Sequence, residues 1–200
     1  MVLSIIFGIL GSLLFLFVFW RKLKEDYVQD QIFSTGFYVL TGIILGALLA
    51  VNFRSSWWFW SSLSGALLGL SMGVEKYKLR MFETLEASIY GGLILCACYF
   101  LFDFVSTARI FSLYYLLLNL VFIGLFEFLN AHYRKFSWYK SGRVGFSGLT
   151  IAGLFFISRA IVAVFFPDTA SVVGKSDVML SAIFAFISFI SVYNLSRKTL

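Results

Sequence analysis

The chain has 200 residues, of which 60% are hydrophobic, 20% are aromatic and 13% are charged. Together with a mean hydropathy of +0.92, this composition excludes an ordinary soluble domain and is typical of an integral membrane protein. The net charge of +6 indicates membrane topology and an attraction to anionic lipid headgroups, and gives little reason to expect a nucleic-acid partner.

Seven apolar runs are long enough to cross the ~30 Å hydrocarbon layer as helices. In chain order they are 2–20, 32–53, 57–74, 84–104, 111–129, 145–166 and 177–196. We therefore expect an all-α, polytopic protein with a single transmembrane domain over residues 1–200. The first run precedes a basic cluster and lacks a small-residue cleavage site, so it is interpreted as a retained helix. Pro167 is expected to end the sixth helix.

Lysine and arginine are distributed unevenly between the two sides of the predicted bundle. Arg54, Arg109 and Lys175 lie on one side, and Arg159 lies within the sixth helix. The other twelve basic residues share the opposite side, and they are Arg21, Lys22, Lys24, Lys76, Lys78, Arg80, Arg134, Lys135, Lys140, Arg143, Arg197 and Lys198. Because basic residues gather in cytoplasmic loops, the N-terminus is predicted outside and the C-terminus in the cytoplasm.

Small residues recur at intervals of four in the second and third predicted helices. The two sets are Gly42, Gly46 and Ala50 in "GIILGALLA", and Gly65, Gly69 and Gly73 in "GALLGLSMG". Such faces let helix backbones approach closely in lipid, so we predict that they are packing grooves. A second interpretation is that the groove of the third helix admits a lipid chain.

The cysteines and the histidine do not form a pattern that binds a metal. Cys96 and Cys98 are two residues apart in an apolar helix, so their side chains point to different faces and are expected to be small core residues. His132 follows the fifth apolar run, among basic and aromatic residues, and is expected to lie at the membrane interface. We therefore expect neither a metal site nor a cofactor.

Arg159 lies deep within the sixth predicted helix, about seven residues or ~10 Å from its outer end. Insertion of an arginine at a helix centre costs about 2.5–3.5 kcal/mol, so its side chain should face the bundle and have an anionic partner. Two partners are open at this point. One is Asp103, near the outer end of the fourth helix, and the other is a lipid phosphate bound by the guanidinium group.

Two segments resemble signatures of the prolipoprotein diacylglyceryl transferase family. "FFISRAIVAVFF" fits the family frame Y-x-x-x-R-x-x-x-E with Phe155, Arg159 and Ala163, and these spacings of four share one helical face. "SLSGALLG" is similar to F-H-G-G-L-x-G, with Ser64 where the family has its essential histidine, followed by Gly65.

Three further segments resemble that family in the same order along the chain. "IFGILG" has Phe7 where tyrosine is usual, "GALLAVNF" has Leu48 where arginine is usual, and "SLYYLLLNL" matches at Tyr114 and has Tyr115 in place of glutamate. Only "VSTAR" separates the fourth and fifth helices, where the family has the segment G-R-x-G-N-F-x-N-G-E and an external head. "GRVGF" at 142–146 is not taken as that segment, because the basic residues put it on the cytoplasmic side.

The resemblance implies a multi-pass protein of a prokaryotic plasma (inner) membrane. The family transfers the diacylglyceryl group of phosphatidylglycerol to the cysteine of a lipoprotein signal peptide. Arg159 would then bind the lipid phosphate, beside a pocket formed by Phe7, Gly65, Gly69, Asp103, Tyr114 and Phe155. The catalytic base stays unassigned, because the hydroxyl of Ser64 is a far weaker base than a histidine.

Two function classes stay open. The protein is either an active or altered lipid transferase, in which Tyr90, Tyr114, Glu86 or Asp103 supplies the missing chemistry, or a catalytically silent member. A silent member would bind a phospholipid or a lipoprotein signal peptide as a membrane scaffold. A small transporter or channel is a third interpretation, although the sequence lacks repeated halves.

Overall fold

The computed structural model describes residues 2–133, 145–165 and 175–197, and within these ranges it contains helices and no strand. The helices are α1 (Val2–Leu23), α2 (Gln29–Phe53), α3 (Trp58–Tyr77), α4 (Met81–Thr107), α5 (Ile110–His132), α6 (Phe146–Phe165) and α7 (Lys175–Arg197). A 3-10 turn, Ser55–Trp57, precedes α3. The all-α prediction is confirmed for the described ranges. Pro167 lies outside them.

Six of the seven described helices, all except α3, are long and apolar enough to cross a membrane. Membrane-spanning segments are expected to be helical, because lipid offers no hydrogen bonds and a helix satisfies its own backbone N–H and C=O groups. These six helices indicate a multi-pass membrane protein. The interior of α3 differs by its serines and glycines, at positions that include Ser61, Ser62, Ser64, Gly65 and Gly69.

Consecutive long helices run in opposite directions. The ring of Tyr90, in the first half of α4, stacks on Phe126 towards the end of α5, with centroids 4.3 Å apart. The ring of Phe100, further along α4, stacks on Tyr115 near the start of α5, with centroids 5.3 Å apart. The bundle thus has two ends. At the basic end α1 and α3 finish and α4 begins, near Lys22 and Lys78; at the tryptophan end α2 finishes and α3 begins, near Trp57, Trp58 and Trp60.

The small-residue faces of α2 and α3 pack directly against each other. A Cβ added to Gly65 would lie 2.0 Å from the carbonyl oxygen of Gly42, and one added to Gly69 would lie 2.2 Å from that of Tyr38. On α2, a Cβ at Gly46 would lie 2.2 Å from the carbonyl oxygen of Ser61. The predicted packing grooves are therefore confirmed. The alternative, in which this face receives a lipid chain, is wrong because backbone already fills the space.

A cluster of buried hydrophobic side chains joins α1 to its neighbouring helices. Phe15 and Phe19 of α1 are fully buried and pack with Ile32 of α2, Leu70 of α3 and Ala87 of α4. This cluster joins the first four helices. The other three helices pack on α3 and α4, through Trp60 with Phe156 and Phe184 and through Tyr90 with Phe126.

Candidate functional site

Arg159 of α6 forms a two-point ion pair with Asp177 in the first turn of α7. Its Nε donates to Asp177 Oδ1 at 3.0 Å, and its Nη2 donates to Asp177 Oδ2 at 2.9 Å. The Arg159 side chain is 10% exposed and that of Asp177 is not exposed at all. Two parallel charge-assisted hydrogen bonds hold the guanidinium in one orientation and neutralise its charge within the bundle.

Aromatic rings from α3 complete the surroundings of this pair. The Arg159 guanidinium carbon lies 3.7 Å from the ring centroid of Phe59 and 5.6 Å from that of Trp60. Ser181, one turn along α7, donates to Asp177 Oδ1 at 3.3 Å. A cation over an aromatic face gains electrostatic stabilisation, most of all where water is excluded. The site therefore ties α3, α6 and α7 together.

The sequence did not lead to Asp177 as the partner of Arg159. The ion-pair alternative named Asp103, but Asp103 accepts a hydrogen bond from Ser112 of α5. That alternative is wrong, because α7 folds back along α6 and brings the acid of its first turn to the arginine. The usable signal was an acidic residue at the start of the next apolar run. The lipid-phosphate role of Arg159 stays a prediction, with Asp177 as the competing anion.

A groove opens at the tryptophan end between α2, α3 and α7. Its volume is about 600 Å³, and we call it the tryptophan groove. Its apolar wall consists of Leu49, Ala50, Phe53, Leu180 and Phe184, and its other lining residues are Arg54, Trp57, Trp60, Ser61 and Ser64. Pockets of about 300–1,000 Å³ are of the size that binds small organic ligands. Ser64, which the sequence resemblance predicts at the position of a histidine, is one of the residues that line the groove.

Hydrogen-bond donors predominate among the polar groups of this groove. The indole nitrogens of Trp57 and Trp60 are buried, and neither has a partner among the described residues. Arg54 is exposed and caps the end of α2. Because indole and guanidinium groups donate and cannot accept, they favour a ligand rich in acceptors, such as a phosphate or an ester.

A second, smaller space lies between α4, α5 and α6. Its volume is about 50 Å³, and we call it the Asn119 cavity. The residues that line it are Phe100, Tyr115, Leu118, Asn119, Phe122, Phe155, Ser158, Arg159 and Val162. Two of the predicted site residues, Phe155 and Arg159, are therefore brought together here. Asn119 was not singled out in the sequence, where a single asparagine in an apolar run gives only a weak signal.

The remaining predicted pocket residues lie elsewhere. Phe7 packs against Phe102, with ring centroids 5.8 Å apart. Tyr114 is 61% exposed on α5. Gly65 and Gly69 lie against the backbone of α2. The sequence therefore identified residues of several separate contacts, and the structure does not gather them into one pocket.

A polar network near the basic end joins three helices and the residue that precedes α6. Lys22 of α1 donates to Glu86 Oε1 of α4 at 3.3 Å and to Asn130 Oδ1 of α5 at 2.9 Å. The other oxygen of Glu86 accepts the backbone N–H of Gly145, before α6, at 2.8 Å. The Lys22 ammonium also lies 4.5 Å from the ring centroid of Phe126. Glu86 is thus a structural acceptor, committed to contacts at the end of the bundle opposite Ser64.

Tyr90, another residue considered as a source of the missing chemistry, has a similar commitment, whereas Tyr114 is exposed. Tyr90 donates to Glu127 Oε1 at 2.5 Å, which links α4 to α5. In the connection before α2, Tyr27 donates to Glu83 Oε2 at 2.7 Å and accepts the backbone N–H of Arg80 at 3.0 Å. Partial burial, followed by the hydrogen bond to Glu83, raises the pKa of Tyr27 above its ordinary value. These contacts fasten the helices at the basic end.

The cysteines and the histidine lie apart from both spaces. Cys96 and Cys98 are free thiols on α4, and His132 is half-buried and stacks on Phe128 with ring centroids 4.5 Å apart. Within residues 2–133, 145–165 and 175–197, no three His, Cys, Asp or Glu side chains form a group that could hold a metal ion.

Comparisons with protein-family models, with curated proteins and with solved structures give no match for this chain.

Proposed function

We propose that the protein binds a phospholipid in the tryptophan groove, as a divergent relative of the prolipoprotein diacylglyceryl transferases. The observation that carries this proposal is the lining of the groove, which combines the exposed Arg54 with Trp57 and Trp60, whose buried indole N–H groups lack partners among the described residues. Buried donors without partners are rare in folded proteins, and a ligand that accepts hydrogen bonds is a physical reason for them.

The walls of the groove match the two parts of a phospholipid. Arg54 is at the end of α2, where a helix that crosses a membrane reaches the headgroup region. Its guanidinium group suits a phosphate, and the two indole groups suit ester carbonyl oxygens. Leu49, Phe53 and Phe184 provide an apolar surface for the acyl chains. An anionic lipid such as phosphatidylglycerol fits this combination.

In this proposal the phosphate contact moves from Arg159 to Arg54. Two nitrogens of the Arg159 guanidinium already donate to Asp177, so a phosphate there would have to displace a buried carboxylate. Arg54 has no ion pair among the described residues. A phosphate can therefore bind Arg54 without leaving another charge buried and unpaired.

We further propose seven membrane crossings, with the N-terminus outside and the C-terminus in the cytoplasm of a prokaryotic plasma membrane. The distribution of basic residues supports this orientation. The close contact between α2 and α3 supports the seventh crossing, because α3 lies antiparallel along a helix that is itself long and apolar enough to span. In this orientation the tryptophan groove faces the outer leaflet.

Diacylglyceryl transfer to a signal-peptide cysteine is the second candidate function. It is favoured by the presence of Ser64 in the groove, since the family signature has its essential histidine there. A serine hydroxyl is a weak base at neutral pH, and loss of a general base costs about 100- to 10,000-fold in rate. Phospholipid binding with little or no transfer is therefore the function that we favour.

Lipid retention tests the first proposal. Full-length protein is purified in a mild detergent from vesicles that contain phosphatidylglycerol, and retained lipid is measured by mass spectrometry. Arg54→Gln should lower retention by on the order of tenfold, since a hydrogen bond to a charged group contributes about 1.5–3 kcal/mol. Trp57→Phe removes only the indole N–H, and its effect should be smaller and in the same direction.

Arg109→Gln is the matched control, because Arg109 is an exposed arginine at the tryptophan end but outside the groove. Its retention should equal that of the unmodified protein. Equal retention in the Arg54→Gln and Arg109→Gln proteins would contradict the proposed site.

Transferase activity is tested separately with phosphatidylglycerol and a peptide that contains a lipobox cysteine. Mass spectrometry of the peptide should detect little or no diacylglyceryl adduct. Robust adduct formation, or rescue of a strain depleted of its transferase at normal expression, would favour the second candidate.

A further inference from the structure

Asn119 carries a buried side-chain amide that lacks hydrogen-bond partners. The residue is 2% exposed, and neither its Oδ1 nor its Nδ2 has a partner among the described residues. Burial of these two atoms without a hydrogen bond is energetically unfavourable, and it is uncommon in folded proteins. A bound polar molecule is a physical reason for such an amide to persist.

The Asn119 cavity is large enough for such a molecule. Its volume is about 50 Å³, whereas ~10–15 Å³ is enough for one water. Phe100, Tyr115 and Val162, which line it, are partly exposed. The cavity therefore lies close to the surface that faces the surrounding lipid.

The polar walls of the cavity favour a neutral ligand. The charge of Arg159 is balanced by Asp177, so an anion would gain little and would lose its own hydration. Asn119 offers two donors and one acceptor site in its amide, and the hydroxyl of Tyr115 can do both. Ser158 already donates to the carbonyl oxygen of Phe155 at 2.7 Å, so its oxygen is left to accept.

We propose that the Asn119 cavity is a second ligand site, which binds the neutral, hydroxyl-bearing head of a membrane-soluble amphiphile. Asn119 lies about nine residues, or ~14 Å, from the start of α5. At that depth a ligand with an apolar chain arrives through the hydrocarbon layer more readily than a charged headgroup does. A monoacylglycerol has this chemistry, and free glycerol has the same hydroxyl groups without the chain.

This site is distinct from the tryptophan groove, because none of its lining residues belongs to that groove. Its ligand is neutral, whereas the groove is proposed to bind an anionic lipid. Unchanged phospholipid retention in the Arg54→Gln protein would contradict the groove proposal and would leave the Asn119 site untouched.

The test measures binding of 1-monooleoylglycerol to the full chain in detergent by native mass spectrometry, with glycerol and phosphatidylglycerol as comparison ligands. Asn119→Leu keeps the approximate size of the side chain and removes its hydrogen bonds, so affinity for 1-monooleoylglycerol should fall at least tenfold. Asn52→Leu changes an exposed asparagine of α2 and should bind as the unmodified protein does. Arg54→Gln should also bind normally.

Four results would overturn the proposal. Equal affinity of the Asn119→Leu and unmodified proteins would remove Asn119 from the site, and no binding by the unmodified protein would remove the site itself. Equally tight binding of glycerol would exclude a membrane source for the ligand. Binding of phosphatidylglycerol that depends more strongly on Asn119 would exclude a neutral ligand.

A second measurement applies if the Asn119→Leu protein does not fold. A diazirine-labelled 1-monooleoylglycerol is cross-linked to the unmodified protein, and the labelled peptides are identified by mass spectrometry. Label should appear on α5 around Leu118 and Phe122 and on α6 around Phe155 and Val162. Label confined to other helices would overturn the proposal.

Discussion

The guanidinium group of Arg159 and the carboxylate of Asp177 form parallel hydrogen bonds of 3.0 and 2.9 Å across the interface of α6 and α7. Both side chains are largely or fully buried. Removal of one member of a buried pair leaves the other charge without compensation, whereas removal of both costs far less. The stability of the α6–α7 unit should therefore depend on the pair and not on either residue alone.

Arg159→Leu should lower the free energy of unfolding by about 3–5 kcal/mol. Most of that loss should be recovered in Arg159→Leu/Asp177→Asn, because the remaining amide can still accept from Ser181. Denaturant unfolding in detergent, followed by circular dichroism, measures both effects. Arg159→Leu/Asp103→Asn is the control, and recovery in that double variant would instead assign the partner to Asp103.

The α2–α3 contact should be intolerant of a single methyl group. Gly65→Ala puts a Cβ 2.0 Å from the carbonyl oxygen of Gly42, so the two backbones must separate. Overpacking of a close interface costs about 1–3 kcal/mol, and the thermal unfolding midpoint should fall.

Gly92→Ala and Gly124→Ala are matched controls for this substitution. Nothing lies within 4 Å of a Cβ added at either position. Each should be neutral or stabilising by up to about 1 kcal/mol, since alanine is the better helix former. An equal loss in the three proteins would contradict close packing at Gly65.

At the basic end, Lys22 and Glu86 should show energetic coupling. Lys22→Met leaves the carboxylate of Glu86 with its backbone donor at Gly145 but without this cation, and should cost about 3–5 kcal/mol. In Lys22→Met/Glu86→Gln the neutral side chain still accepts from Gly145, so much of the loss should return. A double-mutant cycle of unfolding free energies measures the coupling, and additive effects would refute it.

The orientation and the seventh crossing can be tested with single cysteines in a Cys96→Ala/Cys98→Ala background. An impermeant reagent added outside should label cysteines placed near Arg54 and Ser106, and should not label those placed near Lys78. This is expected because the sequence assigns twelve basic residues to the same predicted side as Lys78. The reverse labelling would refute the orientation, and labelling of Arg54 and Lys78 positions from the same side would refute a crossing by α3.

The helices could be predicted from the sequence, because in lipid an apolar run of sufficient length has one way to satisfy its backbone groups. All seven predicted runs are helices in the described ranges, with ends that differ by a few residues. The four-residue spacing of Gly65 and Gly69 also predicted a packing face correctly. Helix backbones approach closely in lipid only where small side chains recur at that interval, so the pattern can be recognised within one segment of the sequence.

Which polar groups meet depends on how the helices pack, and the sequence did not predict this. Depth along a helix identified Arg159 as a residue that needed an anion, but Asp103 and Asp177 both lie towards the same end of the bundle. The packing of α7 against α6 brings Asp177 to Arg159, whereas Asp103 accepts a hydrogen bond from Ser112. The sequence likewise does not predict that the indole N–H groups of Trp57 and Trp60 and the amide of Asn119 lack hydrogen-bond partners. A missing partner is a property of the atoms around a group, and helices far apart in the chain supply those atoms.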